Sequence, residues 1–225
     1  MSRRVSKDTK KRDRNIRREE RKKNLKNELV RVILACEGTV TESNYFRSIF
    51  RELINNHNIA KTSLIIVKHS HTDPKGVLSD LEKALERDSE FEYKWIVIDR
   101  DEMQPNGGGH EIENFNGAIS SANSKGIQVA YSNPSFELWY LLHFEYRNTP
   151  LDREEVITEL KKYVDYAKNS KSIYQEILPL QKIAIVNAKR LNATHTAHGR
   201  NLNPTTDNPN STVYELVEIL NGLKK

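Results

Sequence analysis

The chain has 225 residues, 36% of them apolar and 30% charged, with a formal net charge of +5. That length fits one domain plus an appendage, or two small domains. No apolar run approaches the roughly 18–20 residues a membrane span requires, and no apolar stretch follows the N-terminal charges as a secretory signal would need. The single cysteine, Cys36, excludes a disulfide framework and a cysteine zinc site, and suits a reducing cytoplasm.

The first 28 residues hold 13 Lys/Arg against 5 Asp/Glu, a net of +8, whereas residues 29–225 carry −3. Residues 1–28 therefore read as a basic arm too charged to fold alone. The arm either tracks nucleic-acid phosphates or is a solvated tail.

From Leu29 the apolar pattern sharpens. Residues 29–36 form a β-branched run ending in Glu37-Gly38, a buried-strand signal. Thr41 can cap a helix on which Tyr45, Phe46, Ile49, Phe50, Leu53 and Ile54 recur at helical spacing. Residues 63–69 make a second strand, and Asp73-Pro74 opens a second helix. Residues 94–101 (KWIVIDRD) are the clearest strand, followed by a loop with Pro105 and Gly107-Gly108-Gly109. A helix over 111–125, a strand at IQVAYS and an apolar helix after Asn133-Pro134-Ser135 follow. Beyond residue 150 strands are not expected; helices are, over 152–168, 179–192 and 211–223. The alternation predicts an α/β domain over 29–148, a parallel sheet with helices on both faces, and a helical C-terminal extension over 149–225.

Ligands of such sheets gather beyond the carboxyl ends of the strands. Acids stand there three times: Glu37 with Glu42, Asp99 with Asp101, and Glu137. Crowded carboxylates repel and call for a cation, and Mg²⁺ suits carboxylate oxygens. In a strand, residues two apart point the same way, so Asp99 and Asp101 can face one ion; alternatively Asp99 caps a turn and Asp101 is solvated. Glu42 and Glu137 are candidates for the same site, or ordinary first-turn acids favoured by the helix dipole.

Together these motifs resemble the Toprim fold of topoisomerases, bacterial primases and nucleases of the overcoming-lysogenization-defect type. They are closer to the RloB-like family of phage-defence proteins. The resemblance spans about residues 28–222. It is carried by Cys36-Glu37-Gly38 with Thr41-Glu42 and Tyr45-Phe46, by Val97-Ile98-Asp99-Arg100-Asp101, by Asn133-Pro134-Ser135-Phe136-Glu137-Leu138-Trp139, and by Asn208-Pro209-Asn210-Ser211-Thr212-Val213. It implies a Mg²⁺- or Mn²⁺-dependent nuclease with Glu37 as general acid/base and metal ligand. Asp99 and Asp101 would be metal ligands, with Glu42 in a catalytic role and Glu137 completing the metal set. It further implies an effector of abortive infection acting on DNA or RNA, including tRNA. No nucleotide-binding motif is present, so a controlling ATPase would be a separate polypeptide; no membrane is implied, and a homo-oligomer is left open. The competing expectation is an inactive Toprim-like module that binds nucleic acid or a partner protein.

Other signals are weaker. Phe136, Trp139, Tyr140, Leu142 and Phe144 suit a core better than base stacking. His69 with His71, His195 with His198, and Lys189 with Arg190 read mainly as solvated or structural groups.

Overall fold

The structure is a computed structural model. It describes residue 15 and residues 30–68, 70–101, 109–170 and 172–224, with His198 described by its backbone alone. The basic arm, apart from residue 15, lies outside the described residues, as do His69 and most of the glycine loop, including Gly107 and Gly108.

Among the described residues the sheet has five strands in the order β2-β1-β3-β4-β5. These are β1 (Val32–Cys36), β2 (Leu64–Ile66), β3 (Tyr93–Asp99), β4 (Gln128–Asn133) and β5 (Asn210–Ser211). The first four are mutually parallel and β5 is antiparallel to β4. The helices are α1 (Thr41–Asn56), α2 (Pro74–Arg87), α3 (Ile112–Ser124), α4 (Glu137–Leu141), α5 (Arg153–Leu160), α6 (Ile173–Ile177), α7 (Gln181–His195) and α8 (Val213–Gly222). None is long and apolar enough to cross a membrane.

The period-two pattern of the strands divides the core in two. Val32, Leu34 and Cys36 of β1, with Trp95 and Val97 of β3, face α1 and the helices from α4 onward. Ile33, Ala35, Ile96 and Ile98 face α2 and α3, where Val77, Leu81 and Phe115 meet them. The expected α/β architecture with helices on both faces is thus the one formed. Residues beyond 149 share the first core directly: Ile177, Ala184, Leu191, Val213 and Leu216 are buried with Tyr45, Phe46 and Trp139. Phe136, Trp139, Tyr140 and Leu142 are core residues, while Phe144 stacks on Tyr163 at 4.9 Å.

Two expectations need correction. The chain does return to the sheet after residue 150, as β5, with Ser132 opposite Ser211 and Asn133 opposite Asn210. Two polar residues have no readable period, so this strand left no hydropathy signal. The helix expected over 152–168 ends at Leu160. The chain turns there and delivers Tyr166 into the core, where its hydroxyl donates to Glu137 Oε1 at 2.6 Å.

Candidate active site

β1 is hydrogen-bonded to β2 on one side and β3 on the other, so the chain connections diverge at the carboxyl ends of β1 and β3. A cleft of about 490 Å³ opens there. All five sequence-derived acids, Glu37, Glu42, Asp99, Asp101 and Glu137, line it, together with His110, Arg153 and Lys168.

Glu37 extends the β1 ladder by one bond, its N–H donating to Val97 O at 2.9 Å. This fixes its side chain over the tip of β3. Oε2 accepts the N–H of Asp99 at 3.2 Å, and Oε1 is in close contact with His110 Nε2. Gly38 follows because the Glu42 carboxylate fills the space a side chain would need. A Cβ there would lie 1.6 Å from Glu42 Oε2, and the Gly38 N–H donates to Glu42 Oε1 at 3.1 Å. Glu42 is consequently buried in the first turn of α1. Asp99, the last residue of β3, accepts the N–H of Phe136 on Oδ2 at 3.0 Å. Its Oδ1 is buried with no hydrogen-bond partner among the described residues.

Burial pushes the Glu42 carboxyl up to about 7, and the Glu137 and Glu37 charges add to the rise. Burial also raises Asp99 well above the carboxylate range, reinforced by Glu42, Glu37 and Glu137. Glu37 is raised by burial despite the opposing bond from His110. His110 is raised in turn, chiefly by its bond to Glu37. The crevice thus holds more negative charge than its surroundings solvate.

Asp101 lines the same cleft as Asp99 but has a different partner. β3 ends at Asp99, so the two-residue alternation does not carry through to Asp101, whose carboxylate is instead paired with Arg153. Among the described residues no three His, Cys, Asp or Glu side chains stand close enough together to hold a metal ion. The donors nevertheless suit a hard divalent cation: they are carboxylate oxygens, and one of them, Asp99 Oδ1, is buried and unpartnered.

His110, Arg153, Lys168 and Tyr166 were not singled out from the sequence. His110 follows the glycine loop and shows no periodicity, and Arg153 reads as an ordinary first-turn residue. Elsewhere, His71 Nδ1 pairs with Asp80 at 3.0 Å. His195 lies 2.9 Å from Pro209 O through Nε2. Lys189 pairs with Glu218 at 2.7 Å, and Arg190 lies 3.9 Å over the Tyr146 ring.

The fold and cleft define an α/β protein with an acidic site at the switch point of a mainly parallel sheet. Residues 32–220 match the RloB-like protein family, and the chain belongs to it. No curated protein and no solved structure matches the chain.

Proposed function

We propose that this RloB-like protein is a Toprim-type, divalent-metal-dependent nuclease that cleaves phosphodiester bonds in DNA or RNA. The observation that carries the reading is the buried, unpartnered Oδ1 of Asp99 in a cleft also lined by Glu37, Glu42 and Glu137. Asp99, Asp101 and Glu137, with Glu37, are the residues that would hold the metal. Bound there, a divalent ion would stabilise charge on the phosphoryl group and lower the pKa of a water molecule.

The chain's own residues contribute proton handling and orientation. Glu37 and His110 form a couple in which a proton can rest on either partner, with the Asp99 N–H fixing the carboxylate from behind. Glu42, whose carboxyl is raised to about 7 by burial and by the Glu137 and Glu37 charges in the metal-free protein, is the second carboxyl able to hold or release a proton in the cleft. Tyr166 orients Glu137 by donating to it. The biological setting we propose is antiviral defence by abortive infection in the cytoplasm, under the control of a separate ATPase. The ground is the motif resemblance.

A second reading has its own observation. Asp101 is engaged by Arg153 and Glu37 by His110, which suits a module that binds nucleic acid or a partner without cleaving. Incubating purified protein with a DNA and RNA panel in Mg²⁺ or Mn²⁺, and in EDTA, separates the two. Metal-dependent cleavage supports the nuclease; binding without cleavage in either metal overturns it in favour of the module.

A further inference from the structure

Arg153 is the first residue of α5, remote in sequence from every strand tip, yet its guanidinium enters the acid cleft and pairs with Asp101. Two devices fix it there. Asp152 and Glu155 cap α5 reciprocally, each side chain accepting the other's backbone N–H at 2.8 Å. One residue earlier, Asn208 clips Leu151 on both sides, accepting its N–H at 3.1 Å and donating to its carbonyl at 2.8 Å. Asn208 leads into β5, which pairs with β4, and β4 leads on to Phe136, the donor to Asp99. Arg153 is therefore tied, through β5 and β4, to the same carboxyl end of the sheet as the acids it serves.

The charge of Arg153 acts on Glu137, Asp101, Asp99 and Glu42 together. A crevice of like charges needs such a compensating cation. The pair is nonetheless within reach of solvent, with the arginine side chain 27% exposed and that of Asp101 16%. A guanidinium is also the side chain that best forks onto phosphate oxygens. Lys168, exposed on the same cleft, extends the cationic wall.

We propose that Arg153 is a transferable counter-ion. It neutralises Asp101 in the metal-free protein, yields that carboxylate when a divalent cation binds, and then grips a backbone phosphate of the nucleic-acid substrate. This rests on the metal-dependent reading above and adds to it a residue that couples metal binding to substrate binding.

The test uses the full-length chain. Mn²⁺ affinity is measured by calorimetry, and affinity for fluorescent single-stranded DNA and RNA oligonucleotides is measured in Ca²⁺. Arg153→Gln removes the competitor for Asp101, so Mn²⁺ should bind roughly 5- to 10-fold tighter, while oligonucleotide affinity falls by about the same factor. Arg153→Lys should restore the phosphate grip only in part, because an ammonium lacks the fork. Asn208→Ala, which loosens the Leu151 clip, should move both affinities in the same directions by less, and it carries the test if Arg153→Gln fails to fold. Unchanged or weaker Mn²⁺ binding in a folded variant, with wild type binding normally, overturns the counter-ion role alone. Failure of wild type itself to bind Mn²⁺ overturns the metal-dependent reading as well.

Discussion

Asp99 accepts the backbone N–H of Phe136 on one carboxylate oxygen at 3.0 Å, while its other oxygen is buried without a partner among the described residues. A hydrogen bond from the chain entering α4 thus holds the aspartate at the end of β3 and leaves its second oxygen unpartnered within the field of Glu42, Glu37 and Glu137. Such a group is costly to keep charged and is relieved by a cation.

Metal dependence of stability follows. Mg²⁺ or Mn²⁺ should raise the melting temperature of the protein, and Asp99→Asn combined with Asp101→Asn should abolish the rise. In the absence of metal Asp99→Asn alone should melt no lower than wild type, because it replaces a carboxyl whose charged form burial and the neighbouring acids disfavour. Differential scanning fluorimetry with a metal titration is the measurement. A rise of wild-type size in the double variant would place the ion elsewhere.

The pH dependence has a defined sign. Folding raises the Glu42 carboxyl from 4.5 to about 7, so between these values the folded state holds a proton that the unfolded chain has released. The corresponding stability is present at low pH and is lost as pH rises through about 4.5 to 7, by at most about 3 kcal/mol. Metal-free wild type should therefore become less stable across that window, as read by urea unfolding. Glu42→Gln should flatten the profile and be the more stable protein at pH 8.

Gly38→Ala tests the close approach between β1 and α1. The new Cβ would meet the end of the Glu42 side chain, at 1.6 Å from Oε2 and 2.3 Å from Cδ. That flexible end can swing away, so the fold should survive with a loss of about 1 kcal/mol or less. Glu42 would then lose the bond from the residue 38 N–H, and cleavage should fall at least about tenfold. A variant with wild-type activity would remove Glu42 from the catalytic set.

The positions of Glu37 and Asp99 were legible because strand tips are marked by the end of an apolar run, and chemistry in parallel sheets collects at those tips. Glu42 and Glu137 were legible as first-turn acids of the helices that follow. Asp101 was legible as a lining residue but not in its partner, since β3 stops two residues earlier and Arg153 arrives from 52 positions away. His110 and Asn208 were invisible as site-builders for the same reason: His110 meets Glu37 across 73 positions and Asn208 meets Leu151 across 57, which no local periodicity encodes. The short β5, two buried polar residues, is placed by its pairing with β4 and not by any propensity of its own.

Deleting residues 1–28 should leave the α/β body folded, because among the described residues the buried core begins at Val32. It should also flatten the salt dependence of nucleic-acid affinity, as Lys/Arg contacts to phosphate release counterions. Fluorescence anisotropy at several salt concentrations checks the slope, and circular dichroism checks the fold. Collapse of the truncated protein would make the arm a structural element.

Glu37 carries the strongest expectation, because three separate features converge on it. It caps the β1 ladder through Val97 O, it is held from behind by the Asp99 N–H, and its outer oxygen meets His110. Glu37→Gln keeps the size of the side chain and can still accept from Asp99, so the protein should fold. The amide cannot take up a proton, and general acid/base groups typically contribute ~10²–10⁴-fold; cleavage should fall by that order. His110, now facing a neutral amide, should lose the main cause of its raised pKa and titrate lower, an effect visible by NMR whether or not any cleavage is detected. In cells, wild-type protein released from its control should arrest growth, and the Glu37→Gln protein should not. Growth arrest that persists in the variant, with nucleic acids intact in both strains and the His110 titration shifted as expected, would reject the nuclease and leave a binding module whose acids serve a structural ion or a partner surface.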